Sequence, residues 1–227
     1  MRFLRRLRRR LLRLALGLAA AVVAWVALYA VVPPPTTLLI ETERWRLGGV
    51  ERRWRDLDAI APALVRAVIA AEDARFCDHW GFDLAAIEAA LAERERGRVR
   101  GASTISQQTA KNAFLWPAPS WPRKGLEAGF TGLIEALWSK RRVMEVYLNV
   151  AEFGPGVFGA EAAARHWFNR GAAGLTPAQA ARLAAILPAP RARSAARPSA
   201  FVAGRARAIA GGAETIRAEG RDACVLG

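Results

Sequence analysis

The N-terminal segment constrains this chain more than any other part. Residues 1–13 hold seven arginines (Arg2, Arg5, Arg6, Arg8, Arg9, Arg10, Arg13) and no acid, and Leu11–Val32 is apolar apart from Arg13. A helix of about 22 residues is long enough to cross a bilayer. Arginines flanking one end of such a span stay cytoplasmic, so the pattern predicts the N-terminus inside and everything after residue 32 across the membrane. Trp25 and Tyr29 fall near the far end, where interfacial rings are expected. A cleaved signal peptide shares the basic start, but its apolar region runs only about 7–15 residues to a small-residue cleavage site. Here the run is longer and meets Pro33-Pro34-Pro35, which reads as an uncleaved anchor with a stiff exit.

The anchor also changes the meaning of the charge. The 227 residues carry 34 Lys or Arg against 20 Asp or Glu, a net +14, and removing the seven N-terminal arginines leaves +7. Nucleic acid is therefore not needed to explain the basicity. A 53% apolar composition excludes a disordered chain, and two cysteines exclude a disulfide-dense scaffold.

The organisation expected is a basic segment at 1–10, an anchor at 11–32, a linker at 33–50, a predominantly all-α domain at 51–200, and a C-terminal helix and tail at 201–227. A short strand is expected near Thr37–Thr42. Ala61–Ala71 reads as a buried helix, and Asp83 as the N-cap of a helix over Leu84–Arg96 with Leu84, Ile87 and Leu91 on one stripe. One long helical stretch is expected from Arg123 to about Val150, with Met144, Tyr147 and Leu148 facing inward. Thr176-Pro177 with Gln179 is a capping-box start for a helix that Pro188 stops, and Ser199–Glu219 forms one more.

Several constellations could carry chemistry. In Glu72-Asp73-Ala74-Arg75-Phe76-Cys77-Asp78-His79, the residues Glu72, Phe76 and His79 fall at i, i+4 and i+7. If the helix continues, a carboxylate, a ring and an imidazole share one face, and apolar neighbours would raise the carboxylate toward a general base; helix-end caps and surface pairs are the ordinary alternative. In Gly101–Asn112, Thr104 and Gln107 form a capping box, and Gln108, Lys111 and Asn112 line one side of the helix it starts. Amides around one cation fit sugar hydroxyls and a phosphate, although a capped surface helix would use the same residues. Arg123 and Lys124 sit beside Glu127, either as a surface salt bridge or as cations holding a diphosphate. Between these motifs, Phe114–Pro122 packs three aromatic residues among three prolines, a loop that either dips into headgroups or folds back onto the core.

No metal site is expected, because His79 and His166 are remote and the cysteines form no spaced ligand set. Cys77 and Cys224 could pair in an oxidising compartment, but a free, buried Cys77 is the simpler expectation.

Taken in order, these strings resemble the peptidoglycan glycosyltransferases of family 51, in particular their monofunctional, membrane-anchored members. EDARFCDHWGFD is similar to that family's first motif, GASTISQQTAKN to its second, RKGLE to its third and KRRVMEVYLN to its fourth, and the resemblance runs from about Leu57 to Pro190. It implies a lysozyme-like, mostly helical fold with a large lobe and a small membrane-proximal lobe, and polymerisation of lipid II into β-1,4 glycan strands at the bacterial inner membrane. By position, Glu72 corresponds to the base that deprotonates the acceptor 4-hydroxyl, and Glu127 to a second essential acid in the donor site. Lys111, Arg123 and Lys124 correspond to cations near the leaving undecaprenyl diphosphate. Ser103, Gln107, Gln108 and Asn112, with Phe76 and His79, correspond to groups lining or shaping the cleft.

That chemistry suits the residue types. A diphosphate leaves readily and mainly needs fixed positive charge, whereas the attacking hydroxyl needs a base on the opposite face of the ring, and one displacement then inverts the donor carbon. No cofactor is required, although a divalent cation such as Mg²⁺ could bridge acid and diphosphate. The implied partners are lipid II, the growing strand, membrane lipid and other cell-wall synthesis proteins. Many relatives carry an arginine where this chain has Pro117-Ala118-Pro119, and Arg98 or Arg100 could take its place. Two other readings are a lytic enzyme on the same fold, which would have no diphosphate to hold, and a non-catalytic anchored scaffold.

Overall fold

The computed structural model describes residues 2–95, 101 and 103–227. Helix α1 (Arg2–Tyr29) contains a 25-residue stretch apolar enough to cross a bilayer. Its last turn is docked rather than free. The Val26 carbonyl, which also accepts from Ala30 N–H, takes a second bond from Trp138 Nε1 at 2.9 Å, and the Tyr29 carbonyl accepts from Arg142 Nε at 3.0 Å, so the domain grips the carbonyls at the helix end. Trp25 and Tyr29, expected at the headgroup level, pack on Phe114 at centroid distances of 5.1 and 5.6 Å.

The segment 33–50 is more than a linker. The strand expected near Thr37–Thr42 is instead the start of α2 (Leu38–Leu47), because the Thr37 hydroxyl caps it by accepting from Ile40 N–H at 3.3 Å. Pairs at i, i+3, Glu41 with Arg44 and Glu43 with Arg46, then support helix over strand. Strand β1 (Glu51–Arg52) and a 3-10 turn at Leu57–Ala59 lead into α3 (Pro62–Glu72), whose Leu64, Val65, Val68 and Ile69 are buried.

Helix α4 (Leu84–Glu95) begins at the expected cap, with Ala86 N–H donating to Asp83 Oδ1 at 3.0 Å. Its stripe does not enter the core: Leu84 is 68% exposed and Ile87 half-buried, while the Leu91 side chain lies outside the described residues. Helix α5 (Ile105–Phe114) follows with the complete Thr104/Gln107 capping box. The long stretch expected from Arg123 is two helices, α6 (Trp121–Leu137) and α7 (Lys140–Val150). Trp138 and Ser139 are extended, and the Ser139 hydroxyl restarts the chain as an N-cap for Arg142 N–H.

A short hairpin, β2 (Glu152–Gly154) and β3 (Val157–Phe158), joins β1 in a three-stranded sheet of order β1-β3-β2, parallel between β1 and β3. The chain then forms α8 (Ala160–Phe168), a 3-10 turn at Ala172–Gly174, α9 (Pro177–Ile186), α10 (Ala200–Ala218) and α11 (Ala223–Leu226). The fold is therefore predominantly α, in two packed groups. Helices α3, α9 and α10 pack on one another, while α5 packs on α6 and α7, with α1 against α6. The proline-rich loop before α6 divides its rings: Phe114 stacks on Phe130 at 4.9 Å in the interior, whereas Trp121 is 90% exposed.

Cys77 is not free. It is bonded to Cys224, with Cα atoms 5.7 Å apart and 147 residues between them in sequence. The pairing is tertiary: α11 packs on α7, and Asp222 accepts from Arg66 of α3 at 2.6 Å, which carries the tail back to the end of α3. Closing so long a loop removes much denatured-state entropy. Reduction, or Cys77→Ser, should lower stability by about 3–5 kcal/mol. Thermal melts with and without reductant check this, together with thiol titration that finds neither cysteine reactive until reductant is added.

Candidate active site

The site begins where α3 stops. Asp73 leaves helical geometry, so Glu72, Phe76 and His79 do not share a helix face as the sequence spacing implied. Asp73 is buried and its carboxylate joins two segments: Oδ2 accepts from Ile105 N–H at 3.0 Å, at the start of α5, and Oδ1 faces His79 Nε2 at 2.9 Å. Phe76 is fully buried with Lys140 Nζ 4.6 Å from its ring centre, and Lys140 donates to the His79 carbonyl at 2.6 Å. Phe76 and His79 thus hold the loop beneath the cleft. Gly81 adopts φ +79°, and a Cβ there would lie 2.6 Å from Thr131 Cγ2, so only glycine lets the loop close on α6.

Glu72 is left at the wall of a cleft of about 640 Å³, with Asp73, Arg75, Ser103, Gln108 and Arg205. Its Oε2 accepts from Gln108 Nε2 at 2.9 Å. Tyr147 donates to the other end of that amide, Gln108 Oε1, at a long 3.4 Å, which turns the NH₂ toward Glu72. Burial is the main influence on Glu72 and raises its pKa above the usual carboxylate range, with the Gln108 hydrogen bond and then Arg205 opposing it. Burial, reinforced by the charges of Glu72 and Asp73, also pushes the Tyr147 phenol well above its ordinary value, so it stays a donor.

Gln108 and Pro188 also line an adjoining chamber of about 270 Å³, whose wall includes Lys111, Asn112 and Glu152. Burial lowers the Lys111 pKa; Glu127 and Glu72 raise it, while Arg123 and Lys124 lower it, so all four act on the one ammonium. Beyond it, Glu127 is buried and doubly paired, accepting from Arg123 Nη1 at 2.8 Å and from Lys124 Nζ. Arg123 also donates to the Ala118 carbonyl at 3.1 Å, so the proline-rich loop holds the guanidinium in place.

The structure brings Glu72, Gln108, Ser103, Lys111 and Asn112 to one two-chambered cleft, with Arg123, Lys124 and Glu127 electrostatically coupled to it. Gln107 is turned away, its Oε1 spent on Thr104 N–H at 3.0 Å. Arg98 and Arg100 lie outside the described residues. Asp73, Tyr147 and Arg205 border Glu72 without having been marked as site residues: Tyr147 reads as core in its helix, and Arg205 lies far along the chain in a segment with no polar motif. Among the described residues no group of three or more His, Cys, Asp or Glu side chains is placed to hold a metal.

Residues 41–213, which include Glu72, Gln108, Lys111, Glu127 and Arg205, match the family profile described as Transglycosylase. The chain belongs to the transglycosylase family. It is 59% identical over 218 residues to the biosynthetic peptidoglycan transglycosylase of Jannaschia sp. (strain CCS1), covering 96% of this chain and 90% of the relative. It is 52% identical over 226 residues to the protein of that description from Caulobacter vibrioides, covering 99% of each. With the one from Rhodospirillum centenum it shares 54% identity over 224 residues, 97% of this chain and 96% of the relative. The transglycosylase match therefore takes in residues of both chambers, and the relatives extend over α1 as well.

An ionised carboxylate held in a dry wall costs stability in return for reactivity. Because Glu72 has its pKa raised on folding, its favourable contribution is present only below the unfolded-state value and is lost as pH rises through the folded one. At neutral pH the isosteric Glu72→Gln should therefore stabilise the fold, by about 0.5–2 kcal/mol. Thermal unfolding at pH 7 and at pH 4 measures this, the gain shrinking at the lower pH.

Proposed function

We propose that this chain is a peptidoglycan glycosyltransferase that polymerises lipid II into β-1,4 glycan strands with release of undecaprenyl diphosphate. The observation that carries the reading is the placement of one raised carboxylate, Glu72, and one half-buried cation, Lys111, on either side of Gln108 in adjoining chambers. The names of the relatives agree with it.

In this reading the acceptor sugar lies in the larger chamber with its 4-hydroxyl at Glu72, which takes the proton as the oxygen attacks C1 of the donor. The C1–diphosphate bond breaks on the opposite side, and the electron pair leaves on a diphosphate whose developing charge Lys111, Arg123 and Lys124 stabilise. Their charge needs no reorganisation, because Glu127 already fixes Arg123 and Lys124 in place. A glycan-cleaving enzyme on this scaffold would have no use for that cation set. The chain is read as a single-pass inner-membrane protein with the domain on the periplasmic side. The arginine-flanked apolar helix and the Cys77–Cys224 disulfide, which belongs to an oxidising compartment, support this.

Incubating the full-length protein in detergent with labelled lipid II tests the assignment. Wild type should give polymer, and Glu72→Gln should lower turnover by about 10²–10⁴-fold, the usual weight of a general base. Shortening of added glycan without polymer formation would instead favour the lytic reading. Lys111→Ala should weaken donor binding and lower turnover by about 10²-fold or more, the scale of removing one stabiliser of transition-state charge. A donor titration indistinguishable from wild type would remove Lys111 from the diphosphate site.

A further inference from the structure

Helix α10 contributes one polar group to the cleft. Arg205 lines the chamber of Glu72, with its Nη2 3.8 Å from Glu72 Oε1 and 3.5 Å from the Ala71 carbonyl. Its Nε is buried and has no hydrogen-bond partner. Neighbouring arginines are neutralised at close range, Arg66 by Asp222 at 2.6 Å and Arg123 by Glu127 at 2.8 Å. Among the described residues, the carboxylate paired with Arg205 is Glu72, at a distance too long for a hydrogen bond. Leaving a guanidinium N–H buried and unpaired costs folding free energy, so packing alone does not account for an arginine here.

We propose that Arg205 is a positioning residue for Glu72: its guanidinium, mounted on α10, supplies the fixed positive charge beside the base in the acceptor chamber. The inference rests on the reading of Glu72 as general base. The groups that face Glu72 are few. Asp73 follows it on its own segment, Gln108 and Lys111 reach it from α5, Tyr147 from α7 and Arg205 from α10. Of the two cations, Arg205 outweighs Lys111 in opposing the effect of burial on the carboxylate. Lys111 is shared with Glu127, whereas among the described residues Arg205 pairs with no second acid. Arg205 thus acts on the base while Lys111 remains available to the leaving group. Its distance from Glu72 also suits the task, because a direct ion pair would hold the carboxylate oxygen that must accept a proton.

The test is a titration of Glu72 by carbon-13 NMR in the full-length protein in detergent, with Glu72→Gln to assign the signal, alongside the pH dependence of polymerisation. In Arg205→Gln the Glu72 midpoint should move to higher pH, because a charge that favours the ionised form is gone. The acid limb of turnover should move with it, giving about tenfold less product on the acid side while the alkaline plateau is kept. Arg205→Lys should restore most of the wild-type profile. An unmoved midpoint in a folded Arg205→Gln overturns the proposal, as does a loss of turnover equal at every pH or a rise in KM alone. If Arg205→Gln does not fold, Arg205→Met, which keeps the stem that packs on α3, takes its place. Should wild type make no polymer while the midpoint still moves, the synthetic assignment falls and the pairing of Arg205 with Glu72 stands.

Discussion

Asp73 ties the end of α3 and the loop after it to the start of α5, beside the Thr104 hydroxyl that donates to the Gly81 carbonyl at 2.7 Å. One carboxylate oxygen takes the first free N–H of α5 and the other takes the His79 imidazole, and both bonds are buried. The first bond places α5 beside the end of α3, which brings Gln108 within reach of Glu72 across 36 residues of sequence. The second folds the loop under itself, so that Lys140 can seal it from below through the His79 carbonyl. A buried acid satisfied at both oxygens is costly to disturb, and here a single residue sets the register between the base and the helix that serves it.

The charges of the cleft are graded along α5 and α6. Glu72 has one amide and one distant guanidinium, Lys111 lies between two acids, and Glu127 is saturated by two cations. Glu72 is therefore the least compensated carboxylate of the set, and Glu127 the most. That ordering follows from which helices meet: α3 and α10 bring Glu72 and Arg205 to the larger chamber, while the cation pair in the first turns of α6 closes on Glu127 outside the residues that line the two chambers.

What was legible in the sequence was local. The Thr104/Gln107 and Thr176/Gln179 capping boxes and the Asp83 cap depend on residues three apart, and each forms as spaced. The motif strings single out Glu72, Lys111 and Glu127; the fold puts Glu72 and Lys111 in adjoining chambers and couples Glu127 to Lys111 electrostatically. Features decided by tertiary contact were not legible. Thr37–Thr42 has strand composition, yet one hydroxyl and two charge pairs make it helical. The break at Trp138 has no proline or glycine to announce it; Trp138 is drawn out of the helix line to meet the carbonyl of Val26, 112 residues earlier. The Cys77–Cys224 bond needs the tail to return past α3 and α7, and Arg205 becomes a neighbour of Glu72 only because α10 packs where it does.

The junction between α1 and the domain fixes more than an attachment point. Two hydrogen bonds and a cluster of stacked rings clamp the last turn of a bilayer-length helix to α5, α6 and α7. A hinge there would let the domain sample many heights and tilts. A clamp gives the cleft one standing elevation and one heading relative to the helix axis. The anchor is then a surveyor's staff as much as a tether: the height of the cleft is set by the length of α1, and changing that length by a turn would raise or lower the whole workbench.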